Sequence, residues 1–164
     1  MSVNPIPDGY HSVTPSLTVK GAAEALEFYK KAFNAVERYR LPSDTGEIMH
    51  AEFNIGNSVI MLSDEFPEWG ALSPATIGGC PGTLMIYVPD VDAAHEQAVK
   101  AGATSTMAVA DQFWGDRMGG VLDPYGFKWN LATHKEDLTP EEINQRFEGW
   151  KAENCGGCGT DNPA

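Results

Sequence analysis

Basic residues are scarce in this 164-residue chain: 11 Lys and Arg stand against 23 Asp and Glu, a formal net charge of −12. Such an excess repels nucleic acid and anionic membrane surfaces alike, and no basic stretch offsets it, so neither is expected as a partner. Cysteines are few as well. Of the three, two lie close together as Cys155-Gly156-Gly157-Cys158, a poor disulfide framework that suits a reducing, cytoplasmic compartment. That pair has redox or metal spacing but no second pair, so 155–164 is read as a flexible tail. No apolar run is long enough to span a bilayer. Met1 to Ser12 hold neither Lys nor Arg nor an apolar stretch, so no secretory signal is expected. With 42% hydrophobic residues the chain can bury a sizeable core, and residues 1–154 are read as a single domain.

What the sequence does contain is a duplication. Leu17-Thr18-Val19 and the helical run from Ala22 to Ala32 return 69 positions later as Ile86-Tyr87-Val88 and Val91 to Ala101, and the strand near Ser58 to Ser63 returns as Phe127 to Ala132. A repeat of this size cannot easily bury its apolar face alone, so the two copies, about 12–63 and 83–133, are expected to pack together with a cavity between them. Val13 to Val19 alternates as a half-buried strand, Gly21 breaks it, and the stripe Ala22, Ala25, Leu26, Tyr29, Ala32, Phe33 has helical spacing. Asn34 is the expected left-handed cap. Strands follow at Val36 to Leu41, Ile48 to Ile55 and Ser58 to Ser63, with turns at Ser43-Asp44-Thr45-Gly46 and Gly56-Asn57. Asp64 to Gly82 lacks periodicity and reads as a connector. The second copy predicts a strand over Thr83 to Pro89, a helix from the Asp90 cap to Ala101, and strands over Thr104 to Val109, Arg117 to Leu122 and Phe127 to Ala132. Thr139-Pro140-Glu141-Glu142 opens a last helix to about Ala152.

This pattern, with Ala25-Leu26-Glu27-Phe28-Tyr29, Val88-Pro89-Asp90-Val91-Asp92, Trp114-Gly115-Asp116-Arg117 and Asp123-Pro124-Tyr125-Gly126, resembles the vicinal oxygen chelate superfamily over roughly Val13 to Thr133. That superfamily includes glyoxalase I, extradiol dioxygenases and bleomycin resistance proteins. The resemblance implies an α+β fold of two βαβββ units whose curved mixed sheets surround a cavity, and an extra C-terminal helix is added here. It also implies metal ligands at Thr14, Met61, Thr83 and Asn130. Two hydroxyls, a thioether and an amide hold a divalent cation poorly, so neither a metal nor another cofactor is expected, which counts against glyoxalase or dioxygenase chemistry. The Trp-Gly-x-Arg run is closest to bleomycin resistance proteins, implying a protein that binds a small aromatic or amphipathic molecule. The family further implies a homodimer.

Strand parity supplies the other candidates. His50, Glu52 and Asn54 lie on the face opposite Met49, Ala51, Phe53 and Ile55, and a His and a carboxylate two residues apart can transfer a proton or contribute to a displaced metal site. An exposed polar strand face is the alternative. Trp114 can stack on a planar ligand, Arg117 can hold a carboxylate, and Phe113 adds apolar wall; packing at the sheet rim and pairing with an acid such as Asp116 or Asp123 are the alternatives. Trp69, with Phe66, is a candidate lid or a packing residue. His11 is expected to face away from the cavity unless Pro15 introduces a bulge, His95 to pack on its helix, and His134 to follow the last strand into solvent.

Overall fold

The structure is a computed structural model that describes residues 3–154; the Cys155 and Cys158 pair lies outside them. The first unit is β1 (Ser16–Val19), α1 (Ala22–Phe33), β2 (Val36–Pro42), β3 (Ile48–Ile55) and β4 (Ser58–Asp64). A 3-10 turn at Pro67–Trp69 and the single-turn α2 (Pro74–Ile77) interrupt the connector. Then come β5 (Thr83–Tyr87), α3 (Val91–Ala101), β6 (Thr104–Asp111), β7 (Asp116–Leu122), β8 (Lys128–His134) and α4 (Pro140–Asn154). Each unit is one four-stranded sheet, ordered β1-β4-β3-β2 and β5-β8-β7-β6, with only the β1–β4 and β5–β8 pairs parallel. The α+β duplication is therefore present as expected.

Local chemistry fixes the element ends. Asn34 adopts φ 55° and its N–H bonds back to Tyr29, while the Asp90 carboxylate accepts from Ala93 N at 3.1 Å. The last strand of each unit also secures the start of that unit's helix. Asp64 Oδ1 accepts from Gly21 N and Ala22 N at 2.8 and 2.9 Å, and Thr133, 69 positions on, accepts from Val91 N at 2.9 Å. Two boundaries differ from expectation. The β1 ladder starts at Ser16 rather than Val13, because Pro15 offers only its carbonyl, which takes Met61 N at 2.9 Å. At the other end β8 runs on to His134, which pairs with Asp116.

Helices α1 and α3 pack on each other, and the helix faces of both sheets share one core containing Leu17, Tyr29, Phe53, Ala98, Val121, Trp129 and Leu131. Aromatic side chains join the units: Tyr29, itself stacked on Phe53, meets Trp129 at 5.5 Å and Phe33 meets Trp129 at 4.8 Å. Beneath them Asp123 accepts from Tyr29 Oη, Trp129 Nε1 and the Tyr125 and Phe127 amides, all within 2.8–2.9 Å. Burial nonetheless pushes its carboxyl above the usual range. Opposite the helix faces lie two open faces that retain exposed apolar side chains, among them Val36 and Leu41 in the first unit and Met85 and Tyr87 in the second. The terminal helix α4 buries no residue fully and sits against Phe113 through Phe147 and Trp150.

Candidate functional site

Between the units runs a cleft of about 960 Å³. One wall is the edge strand β5 and its continuation, residues 83–89; the other is the segment His11 to Pro15 with the β3–β4 turn, and Phe33, Trp129 and Leu131 form part of the floor. Only the rims of the open faces contribute, through Val36 and Asn54 on one side and Thr83, Met85 and Tyr87 on the other. Among the described residues no Asp, Glu, Lys or Arg lines it; its polar groups are amides, hydroxyls and His11, which reaches the cleft from the segment interrupted at Pro15 rather than facing away. Predominantly apolar walls with a few polar groups, in a volume at the upper end of small-molecule pockets, make a neutral binding surface.

One residue pair along from Asn54, on the same face of β3, lies Glu52, which is 3% exposed. The strand β2 makes a bulge here: Glu37 pairs with Phe53 and Tyr39 with Glu52, so Arg38 is an extra residue. A bulge re-aims side chains, and this one brings both Arg38 and Tyr39 onto the carboxylate. Tyr39 Oη donates to Glu52 Oε1 at 2.8 Å and His50 Nε2 lies 3.2 Å from the same oxygen. Glu52 Oε2 is buried without a hydrogen-bond partner; Arg38 Nη1 stands 3.4 Å from it, with its guanidinium 4.9 Å from the centre of the Tyr10 ring. Burial alone would push this carboxyl up, but Tyr10, Tyr39, His50 and the Arg38 charge outweigh it and hold Glu52 below its ordinary range. The residues gathered here are thus an ionised acceptor with one unused oxygen. His50 and Glu52 come together as strand parity implied, whereas Arg38, Tyr39 and Tyr10 carried no sequence signal because a bulge and an arm without regular structure place them.

The second unit gathers a different cluster. Asp116, 4% exposed, accepts from His134 Nδ1 at 2.8 Å, Tyr87 Oη at 2.9 Å and Trp114 Nε1 at 3.1 Å. Burial raises its carboxyl, yet these partners hold it below the usual range, and His134 is raised in turn by Asp116 and then Asp137. His134 therefore ends the strand exposed to solvent, as expected, and is also bonded to Asp116 and Asp137. Trp114 is tied to Asp116, and Phe113 is covered by α4. Arg117 occupies the helix face of β7, where Asp92 grips it with two bonds of 2.7 and 2.8 Å and Asp111 adds a third at 3.1 Å. Its guanidinium is therefore committed to acids from α3 and β6, not to Asp116 or Asp123. The alternation of β7 carried that information, since Arg117 shares parity with buried Val121. His95 bonds Ser105 Oγ at 3.1 Å, and Trp69 is 66% exposed against Phe66, away from the cleft.

The four positions that the family resemblance assigns to a metal are separated by the register. Ser16 lies opposite Met61 and Met85 opposite Asn130, which leaves Thr14 and Thr83 one pair away on each side. Thr14 Oγ1 is oriented toward His11 O at 3.4 Å, and only Thr83 of the four lines the cleft. Two hydroxyls, a thioether and an amide supply no anionic ligand, so this donor set does not fit a divalent cation. Among the described residues, no group of three or more His, Cys, Asp or Glu is placed to hold one elsewhere.

Comparison with known proteins gives this geometry its relatives. The model of the Glyoxalase/Bleomycin resistance protein/Dioxygenase superfamily matches residues 10–131. An uncharacterised protein of Mycobacterium bovis is 41% identical over 135 residues, spanning 80% of this chain and 89% of that one. The X-ray structure of an Arabidopsis thaliana gene product is 29% identical and superimposes with a TM-score of 0.61 over 74% of this chain and 98% of that one. TioX from Micromonospora sp. ML1 shares the fold, with a TM-score of 0.60 at 23% identity over 76% of this chain and 98% of its own. With a superfamily model matched from the segment before β1 into β8, and paired sheets that superimpose on solved relatives, the chain belongs to the glyoxalase/bleomycin resistance protein/dioxygenase superfamily.

Proposed function

We propose that the protein binds a small aromatic or amphipathic molecule in the cleft between its units. The observation that carries this reading is the cleft itself: about 960 Å³, apolar along β5 and, among the described residues, free of charged side chains. The donor set at the family's metal positions supports a role that does not pass through a cation there. Titration with the neutral planar dye Nile red tests the reading. Saturable fluorescence enhancement is expected, and Met85→Asp, which places a charge on an exposed rim residue without touching the core, abolishes it. Absence of saturable uptake, or uptake indifferent to Met85→Asp, overturns the reading.

A second reading has its own support. Glu52 is buried and ionised beside His50, so this pair can serve as a proton acceptor toward a substrate entering from the Asn54 rim. In that reading His50→Gln abolishes turnover. The depressed carboxyl makes Glu52 a weak base, and binding is therefore the preferred function. The exposed Val36, Leu41, Met85 and Tyr87 further support pairing of two copies, with sedimentation velocity as the check. Among the described residues no helix is long and apolar enough to cross a membrane. The net charge supports a small molecule over nucleic acid or a lipid surface as partner, and the few cysteines fit a cytoplasmic setting.

A further inference from the structure

We propose that Glu52 is the anchor of an organic-cation subsite at the Asn54 end of the cleft, taking a guanidinium or alkylammonium group whose place the side chain of Arg38 now fills. The inference rests on reading the cleft as the seat of the ligand's apolar body, and it names the chemistry of the head group.

Three observations meet at this point. Among the described residues a carboxylate oxygen buried in the open face of β3, Glu52 Oε2, makes no hydrogen bond of regular geometry; the Tyr10 hydroxyl stands at the same carboxylate without closing one, and a buried ionic acceptor in that state is costly enough to favour a better donor. Arg38 supplies charge but not a bond: it stands 3.4 Å from Glu52 Oε2 without hydrogen-bond geometry, comes from the extra residue of a bulge, and keeps a third of its side chain in solvent. Around it the arrangement is that of a cation receptor, with the Tyr10 ring 4.9 Å from the guanidinium and the Tyr39 and His50 rings 5.7 Å apart beside the acid. In the proposal the partly exposed Arg38 side chain gives way to the incoming head group, which reaches Glu52 from Asn54, its neighbour on the same face of β3 and a lining residue of the cleft. A ligand with an apolar body along β5 then places its head between Tyr10 and Glu52. The acidic chain favours the approach of such a cation.

The subsite is tested first without the cleft. In Arg38→Ala, ethylguanidinium raises the melting temperature saturably, whereas its neutral isostere ethylurea does not, and the rise is absent from Arg38→Ala/Glu52→Gln. Equal shifts with ethylguanidinium and ethylurea, or no shift, overturn the proposal; the urea control needs no Glu52 variant and so survives a failure of that variant to fold. The link to the cleft is then read by calorimetry with phenethylguanidinium, phenethyl alcohol and hydrocinnamate, which share one apolar body. The cation binds the wild type at least about tenfold more tightly than the alcohol, hydrocinnamate binds most weakly, and Glu52→Gln removes the preference. Equal affinity across the series overturns the subsite and leaves the cleft reading standing. Failure of all three to bind removes the cleft reading, and the ethylguanidinium result then decides the subsite by itself.

Discussion

The same bulge occurs in both units, and the two copies use it in opposite ways. In the first unit Arg38 and Tyr39 stand over Glu52, which pairs with Met61. In the second, Thr106 is the extra residue, Met107 pairs with Gly120, and Gly120 pairs with Asn130. A Cβ on Gly120 would meet Thr106 Oγ1 at 2.9 Å, Met107 Cβ at 3.2 Å and Asn130 Oδ1 at 3.3 Å. One backbone design therefore makes a charged recess in one half and a closed, neutral surface in the other. The second unit moves its buried carboxylate to the strand end, where Asp116 is fully bonded and holds His134, Tyr87 and Trp114 in place. An acceptor left with an unused oxygen offers itself to a ligand, whereas one whose oxygens are all engaged is structural.

Four variants put this contrast to the test. The largest effect is expected from Gly120→Glu, which copies the first unit's acid into the second. The crowded Cβ and an unpaired buried charge together cost about 3–5 kcal/mol by urea denaturation, and a loss below about 1 kcal/mol would mean the second bulge can host a carboxylate after all. Next comes Glu52→Leu, which strips Tyr39, His50 and Arg38 of their acceptor for about 1–3 kcal/mol near neutral pH. Because the folded carboxyl is depressed, its contribution is present above the ordinary carboxylate range and is lost as pH falls through the lowered value. The gap in melting temperature between wild type and variant therefore narrows on acidification below about pH 4. His134→Gln has a smaller effect of opposite pH sense. Asp116 raises His134, so its contribution is complete below about pH 6.5 and disappears as pH rises through the raised value; melting curves of wild type and variant converge at alkaline pH. Smallest is Arg117→Ala, whose solvent-screened ion pairs with Asp92 and Asp111 contribute little, so the melting temperature barely changes and Nile red uptake is unchanged.

Much of the fold was legible because the repeat and the strand alternation act through backbone periodicity, which needs no tertiary information. The 69-residue offset holds for the parallel strands: Ser16 pairs with Met61 as Met85 pairs with Asn130. It fails by one residue on the inner strands, since Glu52 corresponds to Gly120, because the two-residue turn Gly56-Asn57 is replaced by the longer turn built on Asp123. That slip, invisible without pairings, hid the relation between the two bulges. The site was half legible. His50 and Glu52 followed from parity, whereas Tyr10 is brought over β3 by the arm before β1, and Arg38 by an irregularity that no local residue type announces. Arg117 differs for another reason: Trp114-Gly115-Asp116-Arg117 is contiguous in sequence, but neighbouring strand residues point to opposite faces, so Arg117 turns to the helix face while Asp116 stays on the open one.

The carboxylate of Asp64 ties three stretches of the first unit, accepting from Gly21 N, Ala22 N and Ile48 N at 2.7–2.9 Å. The opening turn of α1 is thus sealed only once the final strand of its unit has docked, some forty residues later in the chain. Deuterium uptake at the Gly21 and Ala22 amides should then follow detachment of β4 rather than fraying of the helix, making these two positions natural reporters of how cooperatively the unit opens.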